Sequence, residues 1–195
     1  MERRASIERE TNETKIKIGL DLDGKGECMV STGIGFFDHM VSQLAHHGLF
    51  DLTVQAEGDT HVDFHHTVED VGIALGAAFD EALGGREGIN RYGSALVPMD
   101  EALARVVLDC SGRSHLSYED KLKFGKIGEM DTELFREFFA AFVRSSKMTV
   151  HVDVERGSNA HHTVEAIFKA FARALRAAVE ADPRRQGVPS TKGVI

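Results

Sequence analysis

His65-His66-Thr67-Val68-Glu69 recurs letter for letter as His161-His162-Thr163-Val164-Glu165. The offset is 96 residues, close to half of the 195-residue chain. Leu52-Thr53-Val54 stands at the same offset from Met148-Thr149-Val150, so strand, loop and motif are expected to keep one spacing. Each motif opens an amphipathic pattern: Val68, Val71, Ile73, Leu75 and Phe79 in the first, Val164, Ile167, Phe168, Phe171 and Leu175 in the second. A repeat of this length means a duplicated unit. Residues 1–88 are expected to form the first repeat and 89–182 the second. A C-terminal tail, 183–195, follows, and the whole is one integrated domain.

On a helix, residues three or four apart share a face. His66 and Glu69 are three apart, and His65 and Glu69 are four apart. Neighbouring helical residues diverge by about 100 degrees, so the two imidazoles of a pair suit two metal ions better than one. Imidazole with carboxylate is a ligand set for Mn, Fe, Zn or Ni, and the absence of Cys argues against a thiolate zinc site. The bland alternative is a histidine pair at the surface or in a cap. Two copies at matching places in two halves weigh against it. The order HHxxE is not the HExxH of zinc proteases, so that mechanism does not transfer.

The chain is 42% hydrophobic, ordinary for a globular protein. It has no run near the roughly 18 apolar residues of a membrane helix, and Met1-Glu2-Arg3-Arg4 leads into polar residues with no apolar signal region. A net charge of −8 argues against general nucleic-acid affinity. Cys28 and Cys110 are too few for a disulfide framework, so a reducing cytoplasm is expected. Six of the 10 histidines lie between His39 and His66.

Alternation of Ile16, Ile18, Leu20 and Leu22 with Lys15, Lys17, Gly19 and Asp21 makes Arg4 to Asp21 read as a strand. Asp23-Gly24-Lys25-Gly26 is a turn and Glu27 to Thr32 the returning strand. Gly33 to Phe37 reads as a loop, Asp38 to His47 as a helix closed by Gly48, and Asp51 to Ala56 as a strand. The first His-His helix then runs to Gly84-Gly85. In the second half Arg91 to Met99 and Ala104 to Asp109 read as strands, and Ser117 to Lys126 as a further strand or a flexible excursion. Thr132 to Ser145 is a helix whose Phe135, Phe138, Phe139 and Phe142 are core. Met148 to Glu155 is a strand, and the second His-His helix ends near Ala181, before Pro183. The order is strand-strand-helix-strand-helix, twice. Consecutive strands paired antiparallel with helices on one face give an α+β fold, and two halves packed helix face to helix face put the helices between two sheets. Aligning the middle helices places His39 opposite Glu137 at an offset of 98, read as a helix-to-strand connection two residues shorter in the second half.

Other groups are ambiguous alone. Glu13, in Thr11-Asn12-Glu13-Thr14, reads as a solvated charge at the start of the first strand. Asp100-Glu101 follows Pro98-Met99 at a bend. Arg91 and Arg113 end elements. Pro189-Ser190-Thr191-Lys192-Gly193 offers hydroxyls, a cation and a flexible glycine, able to hold a phosphate. His46, His61, His115 and His151 carry no claim by themselves.

The duplicated motif, with Phe37-Asp38-His39-Met40 before it, Pro98-Met99-Asp100-Glu101 between the copies and Pro189-Ser190-Thr191-Lys192-Gly193 at the end, closely resembles the imidazoleglycerol-phosphate dehydratase family of histidine biosynthesis, in its stand-alone form. The resemblance covers essentially the whole chain. It implies two repeats like ribosomal protein S5 domain 2, two Mn(II) ions per active site and a cytoplasmic homo-oligomer of 24 subunits with sites at subunit contacts. One ion would take His39, His66, Glu69 and His162. The other would take His65, His161, Glu165 and a middle-helix residue, Glu137 here, where many members have His. Substrate residues carried over are Glu13, His39, Gln43, His47, His65, His66, Glu69, His161 and Lys169. Phosphate contacts match Arg91, Arg113, Ser190, Thr191 and Lys192, so the tail contributes to the site.

The implied reaction removes water from imidazoleglycerol phosphate to give imidazole acetol phosphate. The proton lost sits on a carbon with no carbonyl beside it. The expected route holds the substrate ring as an imidazolate bridging two metals, expels hydroxide from the carbon next to the ring through a diazafulvene-like intermediate, and passes the neighbouring proton to a carboxylate. Glu13 is the first choice for that transfer and Asp100 the second. Two rival classes remain open: a metal-dependent hydrolase, and a non-catalytic assembly glued by metal. A kinase is disfavoured, because no glycine-rich phosphate loop is visible.

Overall fold

The computed structural model describes residues 2–120, 122 and 125–195. Its first half is β1 (Arg4–Glu10), β2 (Thr14–Asp21), β3 (Cys28–Ser31), α1 (Gly35–Gly48), β4 (Asp51–Gly58) and α2 (His65–Leu83). The second half is β5 (Tyr92–Met99), β6 (Ala102–Asp109), β7 (His115–Glu119), a small hairpin of β8 (Lys126–Ile127) and β9 (Met130–Asp131), α3 (Leu134–Ser146), β10 (Thr149–Arg156) and α4 (Ala160–Val179). The α+β class with two matching sheets agrees with expectation, but each main sheet has four strands where the pattern of its half predicts three, and the second half adds the β8-β9 hairpin.

In the first half, Arg4 to Asp21 is a hairpin and not one strand. Ala5 pairs with Leu20 and Arg9 with Ile16. The fold-back uses neither Gly nor Pro: the Thr11 hydroxyl accepts from the N–H groups of Glu13 and Thr14, a side-chain turn that alternation conceals. The expected returning strand also sits elsewhere. β3 lies parallel beside β4, not antiparallel beside β2, and the sheet order is β1-β2-β4-β3. A parallel pair needs a long crossover, and α1 supplies it. The second sheet repeats this order as β5-β6-β10-β7. There, β7 is the extra strand, covering the first part of the ambiguous Ser117 to Lys126 stretch. Positions 121, 123 and 124 of that stretch lie outside the described residues.

The repeat does not keep one offset. Ile18 pairs with Val54 and Val106 with Val152, so β2 and β6 correspond at 88 residues and β4 and β10 at 98. The middle helices also correspond at 98, since Leu49 and Lys147 both cap them in the left-handed conformation. Both helix-to-strand connections are therefore equal in length. The shortening lies later: six residues join β4 to α2, three join β10 to α4, and β10 carries a bulge before Arg156. That loop restores the 96-residue spacing of the motifs.

The helices fill the space between the sheets. Phe37, Phe79, Phe138, Phe139, Phe142, Phe168 and Phe171 are fully buried. Phe138 stacks on Phe168 at 5.4 Å, Phe139 meets Phe171 edge-on at 5.0 Å, and Phe79 meets Phe142 at 5.4 Å. Each such ring contributes on the order of 1.5–3 kcal/mol by leaving water, so the predicted Phe stripe of α3 is the seam between halves. Close approach of α2 to α3 depends on Gly72 and Gly76. A Cβ at Gly76 would stand 2.4 Å from the Phe142 carbonyl oxygen.

Candidate active site

The first turns of α1 and α4 bring His39, His161 and Glu165 together. Among the described residues these form the one group of three or more His, Cys, Asp or Glu side chains with ligand atoms within 4.8 Å of each other. Glu165 Oε2 lies 3.2 Å from His161 Nε2 and 3.5 Å from His39 Nε2. Its other oxygen accepts from Lys169 Nζ at 2.7 Å. Burial pushes the Glu165 carboxyl up, but Lys169 and His39 outweigh it and hold it below the usual carboxylate range. An ionised carboxylate whose Oε2 faces two half-exposed imidazoles is a donor set suited to a divalent metal. Phe36 packs edge-on against His161 at 4.8 Å.

The second histidine of each pair is held from behind. His162 Nδ1 donates to Glu101 Oε2 at 2.8 Å. His66 Nδ1 donates to Asp59 at 3.0 Å. A carboxylate on Nδ1 fixes the tautomer and leaves Nε2 free for a metal. Each bond also raises its imidazole's pKa, through the hydrogen bond to Glu101 for His162 and to Asp59 for His66. In return His162, with the Asn159 N–H, draws the Glu101 carboxyl down to about 2. Glu101 also accepts from the N–H groups of Ser158 and Asn159, and Asn159 caps α4 by accepting from the His162 N–H.

The remaining candidates are dispersed over the chain. His65 Nε2 lies 3.9 Å from Glu69, whose other oxygen accepts from Arg144 at 3.0 Å. Glu13, in the β1–β2 turn, comes within 3.8 Å of His66. Asp100, at positive φ in the β5–β6 turn, lies 3.9 Å from His162. Gln43 and His47 bond each other one turn apart on α1. Burial and the nearby Lys169 charge lower the His47 pKa. Glu137 does not join His161 and Glu165, where His39 stands instead. It lines a cleft of about 360 Å³ with Tyr118, Asp120 and Arg136.

The expected phosphate residues gather at the other end of α4. Arg91 forms a two-pronged pair with Asp109 and donates to the Pro189 carbonyl, which ties the tail down. Its own N–H donates to the Ala178 carbonyl. Gly112, next to Arg113, packs against the end of the chain at Ile195. Ser190 accepts from the Lys192 N–H.

Sequence reading passed over Asp59 and Glu101 as site residues. Glu101 was within reach, because the hairpins correspond at an offset of 88, which sets Glu13 on Glu101. Asp59 carried no signal, since it sits in the loop where the repeats differ.

A family model described as imidazoleglycerol-phosphate dehydratase matches residues 32–175. A relative of that name from Gluconacetobacter diazotrophicus is 60% identical over 194 residues, 99% of this chain and 98% of its own. One from Prochlorococcus marinus is 58% identical, with 100% and 93% covered. The crystal structure of the Staphylococcus aureus enzyme superposes with a TM-score of 0.83 at 40% identity, covering 92% of this chain and 99% of that one. The Pyrococcus furiosus enzyme gives 0.84 at 33% identity, with 97% and 100% covered. With the whole chain matched and the paired histidines held at helix starts, this protein belongs to the imidazoleglycerol-phosphate dehydratase family, hydro-lyases of histidine biosynthesis.

Proposed function

We propose that the chain dehydrates imidazoleglycerol phosphate to imidazole acetol phosphate with two Mn(II) ions per active site. The observation that carries this reading is the His39-His161-Glu165 cluster. It draws one residue from the first expected ligand set and two from the second, which sets the two expected sites side by side. His66 and His162, with Nε2 left free, and His65 and Glu69 complete the donors, and Glu137 is the reserve ligand of the middle helix. Bound there, Mn(II) supplies Lewis acidity and a template for the imidazole ring.

The chain's own groups do the rest. Lys169 keeps Glu165 ionised. Glu13 stands at the edge of the His66 site, exposed and placed to take the proton from the carbon next to the one losing hydroxide. Asp100 occupies a similar position beside His162. Arg91, Arg113, Ser190, Thr191 and Lys192 hold the phosphate and orient the three-carbon chain.

These two groups of residues are best read as parts of different copies. Arg91 bonds Ala178, thirteen residues along α4 from Glu165, roughly 20 Å at 1.5 Å per residue. One small phosphate ester does not span that within one chain. A site shared between subunits of a closed assembly, of 24 in the reading taken here, brings them together. Among the described residues no helix is long and apolar enough to cross a membrane. Two unbridged cysteines support a cytoplasmic setting.

The test is turnover of imidazoleglycerol phosphate by metal-stripped protein before and after addition of Mn(II). Activity that returns with the metal is expected. Activity that never depended on metal removes the metal-based route. Absence of activity in folded, Mn-loaded protein removes the dehydratase reading itself.

A further inference from the structure

Superposing the two hairpins by their register sets Glu13 and Glu101 at equivalent tips: Arg9 pairs with Ile16 in one hairpin as Val97 pairs with Ala104 in the other. Each tip carboxylate reaches toward the second histidine of its own repeat's motif. In the second repeat the reach is complete, with Glu101 2.8 Å from His162 Nδ1. In the first, Glu13 stops at 3.8 Å from His66 Nδ1. The reason is Asp59, which occupies that nitrogen at 3.0 Å. Asp59 lies in the six-residue β4–α2 loop, and the matching loop of the second repeat has three residues. The short loop instead gives two N–H groups, Ser158 and Asn159, to Glu101. Glu101 is thus held by four groups, the Ser158 hydroxyl being the fourth, whereas Glu13 is half-exposed with His66 3.8 Å away.

We infer that Asp59 and Glu101 are positioning residues that aim the Nε2 atoms of His66 and His162, and that the longer first-repeat loop frees Glu13 for proton transfer by setting Asp59 at the place on His66 that Glu101 holds on His162. The inference rests on the proposed dehydratase reading and adds to it. The two halves of the scaffold thus hold one bonded and one exposed tip carboxylate. The second shell behind a metal-binding histidine sets its tautomer and angle, and loss of such a partner lowers metal affinity about 10- to 100-fold.

The experiment compares Glu101→Gln, Asp59→Asn and Glu13→Gln by Mn(II) affinity, measured as bound metal after equilibrium dialysis, and by kcat at saturating Mn(II). Gln at 101 keeps an oxygen for the two N–H groups of the loop, so the α4 start stays capped, and thermal unfolding of the metal-free variants checks this. Glu101→Gln and Asp59→Asn are expected to lower Mn(II) affinity about 10-fold or more, with kcat largely restored by excess metal. Glu101→Asp, which keeps the charge, should recover part of the affinity. Glu13→Gln should leave affinity unchanged and lose kcat that no metal restores. Wild-type affinity in Glu101→Gln and Asp59→Asn would overturn the inference while leaving the dehydratase reading intact. So would a Glu13→Gln variant that fails only in metal binding. If the wild-type protein neither binds Mn(II) nor turns over substrate, it is the underlying reading that fails.

Discussion

Lys169 matters chiefly through its 2.7 Å pair with Glu165. Its ammonium neutralises Glu165, a carboxylate nine-tenths buried, and leaves the second oxygen facing His39 and His161. Substituting Lys169→Met strands that carboxylate among imidazoles, and a buried charge without its partner is costly. At pH 7 the metal-free variant should lose about 1–2 kcal/mol, less than a fully buried pair because the lysine keeps some solvent contact. The sign with pH follows from Glu165 being held below its ordinary value of 4.5. A depressed folded-state pKa stabilises above the unfolded value and ceases to do so as pH falls through the folded one. The gap between wild type and variant in thermal unfolding should therefore narrow as the pH falls below 4.5. A gap that stays constant through the acid range would mean that lost packing, not charge, accounts for it. Residue chemistry of this kind was legible only in part. The motifs announced His161 and Glu165, but their company did not follow from spacing. His39 reaches them because α1 and α4 pack against each other, a tertiary fact, whereas the expected partner Glu137 is turned into another cleft.

At the scale of elements, the helices and strands with strong periodicity were readable and the connections were not. α2, α3 and α4 follow their apolar patterns closely. The β1–β2 fold-back escaped because a threonine hydroxyl makes the turn, and β3 was misplaced because pairing partners are decided by the α1 crossover. Equal motif offsets also concealed that the hairpins correspond at 88 residues, that α1 and β4 correspond to α3 and β10 at 98, and that a short loop compensates. Packing between elements makes its own prediction. Ala in place of Gly normally favours a helix by about 1 kcal/mol. At Gly76 the added Cβ would meet the Phe142 carbonyl at 2.4 Å and Ser145 Cβ at 2.9 Å, and backbone cannot rotate away as a side chain can. Gly76→Ala should therefore destabilise by about 1–3 kcal/mol, the cost of overpacking, read as a lower unfolding midpoint in urea. A midpoint raised by the substitution would show that α2 and α3 are less tightly apposed than described.

At the scale of the molecule, duplication explains both the economy and the incompleteness of the site. Two sheets sandwich four principal helices, and the paired histidines sit at helix starts while the tail and Arg91 sit near the far end of α4. A phosphate ester bound at one end leaves the other out of reach, so the account requires that copies of the chain complete each other. Pairing two inactive variants tests this most directly. His161→Ala removes a cluster residue, and Arg113→Ala removes a residue proposed to hold the phosphate, whose guanidinium donates to the Ser111 carbonyl, so folding is expected to survive in both. Coexpressed and copurified, the two should regain about a quarter of wild-type turnover, the share of sites that receive an intact cluster from one chain and an intact phosphate end from another under random assortment. A mixed assembly as inactive as either variant alone would contradict the account and place the whole site within a single chain.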